Sequence, residues 1–178
     1  MTCLSGKDVW KAGEAGLWSW DLLEAALARS ETLNPGDVRL NTGSMNVGTM
    51  PRIPPTAFLV EYRDGTRGTV LLLNGHIQDF CLAAKVKGET KPPACLFRLP
   101  QPPGAKFLGC LTANIEKFLE SGKSPYPVER TLLTSGILEA ALESRYRRGT
   151  RVETDYLQVQ YLAPQDSGFI RGDIAESM

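Results

Sequence analysis

AFLVEYRDGTRGTVLLL, residues 57 to 73, reads as two β-strands folded back on each other. Residues 57–63 and 67–73 are rich in aliphatic, aromatic and β-branched side chains, and Asp64-Gly65 between them tolerates the positive φ of a tight hairpin turn. A third strand is expected over 79–87, stopped by Gly88, and a fourth over 94–99 after the break at Pro92 and Pro93. Sequential strands with short turns predict an antiparallel meander.

Helices are expected on both sides of that sheet. Residues 17–29 carry Ser19 as a capping residue ahead of an inward stripe of Leu22, Leu23, Ala26 and Leu27. Residues 106–121 place Phe107, Leu108, Leu111, Ile115, Phe118 and Leu119 at helical spacing, and Gly122 ends them. A third helix opens at Pro127, turns Val128, Leu132, Leu133, Ile137, Leu138, Ala141 and Leu142 inward, and closes at Gly149 after the basic turn of Arg145, Arg147 and Arg148. Residues 156–161 alternate as a final half-buried strand would. Residues 30–56, with Asn34-Pro-Gly36, Asn41-Thr-Gly-Ser44, Asn46-Val-Gly48, Pro51 and Pro54-Pro55, read as one long irregular loop, and 163–178 as a flexible tail.

Helices before and after an antiparallel sheet, rather than between its strands, define an α+β fold of two layers. These helices cover one sheet face, so the other is either polar or an interface.

Composition narrows the function classes. Twenty basic and twenty acidic residues give zero formal net charge, so no global field attracts nucleic acid or an anionic membrane surface. Apolar runs fall far short of the roughly eighteen residues of a membrane span. Lys7, Asp8, Lys11 and Glu14 among the first residues suit neither a signal nor a transit peptide, which makes a cytoplasmic protein the expectation. Cys3, Cys81, Cys95 and Cys110 form no CxxC pattern, and with a single histidine they predict reduced thiols and no structural metal.

The spacing of Glu129, Thr131, Ala140, Ser144, Gly149 and Val152 resembles the closing helix and following strand of the glucose-fructose oxidoreductase, inositol dehydrogenase and MocA family. Residues 57–75 followed by His76-Ile-Gln-Asp-Phe80 resemble the first hairpin of that family's C-terminal domain, and the likeness extends over most of residues 4–162. The resemblance implies a substrate-binding and oligomerisation domain of an NAD- or NADP-dependent oxidoreductase acting on a sugar, polyol or similar compound. It also implies that the open sheet face packs against another subunit, making a homo-oligomer.

The cofactor half is not legible in these residues. No GxGxxG or P-loop pattern occurs, and Gly13-Glu-Ala-Gly16 lacks the preceding strand that a phosphate cradle needs. The family's Glu-Lys-Pro motif has no equivalent, since Glu116-Lys117 is followed by Phe118. The expectation is a chain that holds no cofactor and does not catalyse hydride transfer alone.

His76 with Asp79 is the candidate acid–base pair, because a histidine titrating near neutrality can exchange a proton with a substrate hydroxyl while a carboxylate fixes its tautomer. A turn around Gly75 must bring the two together, and a histidine that merely serves the turn is the plainer reading. Tyr126, Glu129 and Arg130 at the start of the long helix are candidate substrate contacts, or ordinary capping. Trp18 is a candidate stacking surface, or a packing residue. Arg63, Arg67 and Lys85 offer an anion-binding row, or guards of a sheet edge. The competing class is a non-enzymatic module that self-associates or caps a partner through the open sheet face.

Overall fold

A computed structural model describes residues 1–43, 53–98 and 106–163. The middle of the expected loop, residues 44–52, and the expected tail beyond 163 lie outside them. The fold is mixed α+β: β1 (Thr2–Ser5), α1 (Lys7–Glu14), α2 (Trp20–Leu27), α3 (Val38–Asn41), β2 (Thr56–Glu61), β3 (Arg67–Leu72), β4 (Phe80–Ala83), β5 (Ala94–Phe97), α4 (Lys106–Ser121) and α5 (Val128–Tyr146). The chain divides into two compact units. One comprises residues 1–97 and 137–154, the other 98–136 and 155–178, with the boundary inside α5.

In the first unit, β2 and β3 form the expected hairpin. Gly65 takes φ 83°, the Tyr62 amide donates to the Thr66 carbonyl at 2.9 Å, and Asp64 Oδ1 accepts the Thr66 amide at 2.9 Å. β1 adds antiparallel to β2, pairing Cys3 with Phe58 and Leu4 with Ala57, so the sheet runs β1-β2-β3. Strand alternation then separates two faces. Leu4, Ala57, Leu59, Leu71 and Leu73 point to one side and pack with Val9 and Ala12 of α1 and with Trp18, Leu23 and Leu27 around α2. Ser19 caps α2 by accepting the Leu22 amide, as its sequence predicts.

The opposite face carries Phe58, Val60, Val70 and Leu72, together with Thr56 and Gly68. Val70 is 52% and Leu72 38% exposed, while Phe58 and Val60 are half-buried. None of these six residues is charged; Thr56 is polar and buried, and Cys3 beside Phe58 on β1 is buried too, so the exposed part of the face is its β3 side.

The expected four-strand meander is broken after β3. β4 and β5 pair only with each other, forming a separate two-stranded ribbon. The cause is the turn that follows Leu73: Gly75 takes φ 97°, and the amides of His76 and Ile77 both donate to the Leu73 carbonyl, coiling the chain away from the edge of β3. Cys81 and Leu96 lie on the half-buried side of the ribbon, and Phe80, Leu82 and Phe97 are exposed on the other.

β1 is clasped from its outer side. The Met1 amino group donates to the Val152 carbonyl at 3.0 Å, and the Val152 amide returns a bond to Met1 at 2.9 Å. α5 meets this edge at Ser144, whose hydroxyl accepts the Cys3 amide, and its buried residues differ from the expected stripe. Gly136, Ala140, Ala141 and Ser144 are buried, whereas Val128, Leu132, Leu138 and Leu142 are exposed. A side chain that bonds the β1 backbone must be short and polar, as Ser144 is, while Leu133 and Ile137 of the expected stripe are half-buried.

The second unit contains α4, the N-terminal half of α5 and the segment after residue 154. α4 has the expected bounds and ends at Gly122, φ 65°, whose amide donates to the Phe118 carbonyl. Its expected inward stripe is not inward: Leu108, Leu111, Ile115, Phe118 and Leu119 are all exposed; the side chain of Phe107 lies outside the described residues. Residues 156–161 form no strand. Their alternation is real, with Leu157, Val159 and Tyr161 half-buried, but Leu157 packs onto Gly136 of α5 rather than extending a sheet. Period two sets which side is buried and leaves the pairing open.

Candidate functional site

Turn 74–79 lies under a strip formed by residues 30–43, and the two are bonded along their length. The Asn34 amide donates to the His76 carbonyl at 2.8 Å, and Asn34 Nδ2 to the Gly75 carbonyl at 3.1 Å. The Gln78 amide donates to Thr32 Oγ1, and the Gly43 amide to the Asn74 carbonyl. Thr32, Asn34, Gly75, His76, Ile77 and Gln78 line a half-open depression of about 280 Å³. Within the expected irregular loop, Asp37 caps the short α3 by accepting the Arg39 amide.

His76 sits at the base, 3% exposed. Its Nδ1 meets Asn41 Nδ2 at 3.1 Å, and the same amino group also lies within bonding distance of the Asn34 and Pro35 carbonyls. Those carbonyls orient the amide, so Nδ1 is the acceptor and the proton of the neutral ring is on Nε2. Burial pushes the His76 pKa below the usual histidine value, and the nearby Asp37 carboxylate opposes that shift.

Asp79 turns elsewhere. Its Oδ2 accepts from Ser30 Oγ at 2.8 Å, the Glu31 amide at 2.7 Å and the Thr32 amide at 2.9 Å. These bonds, led by that from Ser30, hold the carboxyl below the ordinary aspartate range. His76 and Asp79 therefore occupy one turn, with the ring bonded to Asn41 and the carboxylate to residues 30–32.

Trp18 is buried and its Nε1 donates to the Val9 carbonyl at 2.9 Å. Its ring lies 4.5 Å from Trp20 and 6.4 Å from Trp10, and Arg39 stands 5.0 Å over Trp20 while pairing with Glu14 at 3.2 Å. Gly13 makes this cluster possible, since a Cβ there would stand 2.5 Å from Trp18 Cζ2. Of the expected cationic row, Arg63, Arg67 and Lys85 are all exposed.

Tyr126, Glu129 and Arg130 belong to the second unit. The Arg130 guanidinium lies 4.6 Å over the Tyr126 ring, and Glu129 is exposed in the first turn of α5. Asn34 and Asn41 are the polar partners that sequence reasoning did not single out. Their signal was the density of asparagine around Pro35 and Gly36, residues that favour bonds to nearby backbone.

Among the described residues no three His, Cys, Asp or Glu side chains gather as metal ligands, and no helix is long and apolar enough to cross a membrane. Compared with protein families, curated proteins and solved structures, the chain matches none of them.

Proposed function

We propose that this chain is a self-associating domain that pairs with a second copy through the sheet face of Phe58, Val60, Val70 and Leu72. The observation that carries this reading is the exposed part of that face, Val70 and Leu72 of β3 beside half-buried Phe58 and Val60, none of them charged and all opposite the face that packs on α1 and α2. An uncharged patch meets its own copy across a twofold axis without like-charge repulsion. A homodimer therefore fits it better than a charged partner does.

The reading extends to a role as the substrate-binding and oligomerising half of an oxidoreductase of the glucose-fructose oxidoreductase, inositol dehydrogenase and MocA type. Its support is the sequence resemblance; NAD or NADP would be held by residues outside 1–178, and the substrate would be a sugar, polyol or similar compound. A cytoplasmic setting belongs to the same reading, supported by the free thiols of Cys3, Cys81 and Cys95. The second reading, a non-enzymatic module, is favoured by the engagement of the His76 ring with Asn41 and of Asp79 with residues 30–32.

Val70→Lys tests the interface. It should give a folded monomer by light scattering and circular dichroism, whereas Leu40→Lys, on exposed α3, should leave the assembly intact. Equal masses for both variants and the parent chain would overturn the assignment of this face. A thermal-shift panel of sugars and polyols separates the two readings, because a ligand at one hundred times its Kd stabilises by about 2.7 kcal/mol. A flat panel would overturn the substrate-binding role.

A further inference from the structure

Of the bonds that hold residues 34–43 against turn 74–76, those from the Asn34 and Gly43 amides and from Asn34 Nδ2 go to backbone carbonyls, and one, from Asn41, needs an unprotonated ring. Asn41 Nδ2 has two protons and three acceptors around it: the Asn34 carbonyl at 3.1 Å, the Pro35 carbonyl at 3.0 Å and His76 Nδ1 at 3.1 Å. A proton on Nδ1 would face this amino group donor to donor. Rotating the amide to offer Oδ1 would turn the same clash onto the two carbonyls, oxygen against oxygen. Neither arrangement satisfies both sides, and at 3% exposure the ring has almost no water to turn to.

We infer that the His76–Asn41 contact is an acid-sensitive latch, whose protonation releases residues 34–43 from turn 74–76 and opens the depression lined by Thr32, Asn34, His76 and Gln78.

The surrounding charges leave the imidazolium poorly compensated. Asp37, just before α3, is the carboxylate that favours it, but its Oδ1 already accepts the Arg39 amide at 2.7 Å. On the turn, Asp79 accepts three bonds from residues 30–32. On the strip, Glu31 is exposed, and Arg39 is turned toward Glu14 and the Trp20 ring. The Asp79 staple at residues 30–32 is of the opposite kind, since it needs a charged carboxylate and persists where the histidine has already protonated. Mild acid thus frees one end of the strip and leaves the other tethered.

Amide hydrogen exchange tests the latch. The Asn34 and Gly43 amides donate across to the His76 and Asn74 carbonyls, so their protection reports the closed strip directly. Between pH 7.5 and 5.5 their protection factors, corrected for intrinsic exchange, should fall roughly tenfold, the equivalent of one unit of proton linkage, while β2 and β3 amides hold. His76→Asn keeps an acceptor near the Nδ1 position without a titrating group, and its strip should be insensitive to this pH change. Unchanged protection in the parent chain, or the same fall in His76→Asn, would overturn the proposal and place any change on the carboxylates. Should that variant fail to fold, 15N-histidine NMR of the parent chain decides, because the chain has one histidine. A proton on Nε2 at pH 7.5 and titration below about 6.5 support the latch, and titration at or above that value overturns it.

Discussion

The Cys3 amide donates to the Ser144 hydroxyl at 2.8 Å, joining residues 141 positions apart, and the same hydroxyl donates to the Thr150 carbonyl at 2.7 Å. One small side chain on α5 thereby serves an edge strand and the turn that ends the helix. Both backbone groups are left without that partner if the hydroxyl is removed. Ser144→Ala should cost about 1–3 kcal/mol in urea unfolding; a loss within error would mean that this clasp contributes nothing to the first unit.

Two glycines, Gly149 and Gly136, should respond differently to the same added methyl group. At Gly149, φ is 89° and the new Cβ would stand 2.8 Å from the Cys3 carbonyl oxygen, a backbone atom that cannot swing away. Gly149→Ala should therefore be strongly destabilising, by more than about 1 kcal/mol. At Gly136 the obstacle is the end of the Leu157 side chain, 2.6 Å from the built position, which can change rotamer, so Gly136→Ala should cost less. Midpoints in the reverse order would contradict this account of both contacts.

Gly13→Ala tests the tryptophan cluster. The methyl group would meet Trp18 at 2.5 and 2.7 Å and Trp20 Nε1 at 2.8 Å, and Trp18 is held by its bond to the Val9 carbonyl. Overpacking of this kind costs roughly 1–3 kcal/mol and should shift tryptophan emission as the rings separate. Unchanged emission and stability would show that the cluster has slack.

Acid should weaken the first unit in two steps. His76 has a lowered folded-state pKa, so its contribution is present above the unfolded value near 6.5 and is lost as pH falls through the folded value. Asp79 is also lowered, and its contribution disappears at more acidic pH, below the ordinary aspartate range. Urea midpoints from pH 8 to pH 3 should show both limbs, and Asp79→Asn should flatten the lower one. A profile rising toward acid would reverse both signs.

Local chemistry made part of this architecture legible. The Asp64-Gly65 turn, the Ser19 cap and the Gly122 stop each act within a few residues, and each lies where its sequence predicts. β1 and α1 were not foreseen, because Thr2–Ser5 is too short to show a period and its partners, Phe58 and Ser144, are distant in sequence. The meander failed at Gly75 for a related reason: strand propensity at 80–83 does not reveal which edge it will pair with. At the candidate site, His76 and Asp79 were visible as residue types. Their bonds to Asn41 and to residues 30–32 follow from how the strip lies on the turn, which no local pattern encodes.

The most direct test of the self-association claim is sedimentation equilibrium of the unmodified chain over a concentration series at neutral pH. Pairing through the face of Val70 and Leu72 gives a mass near twice the 19.5 kDa of one chain, falling toward one chain on dilution. A single-chain mass at every concentration would contradict it.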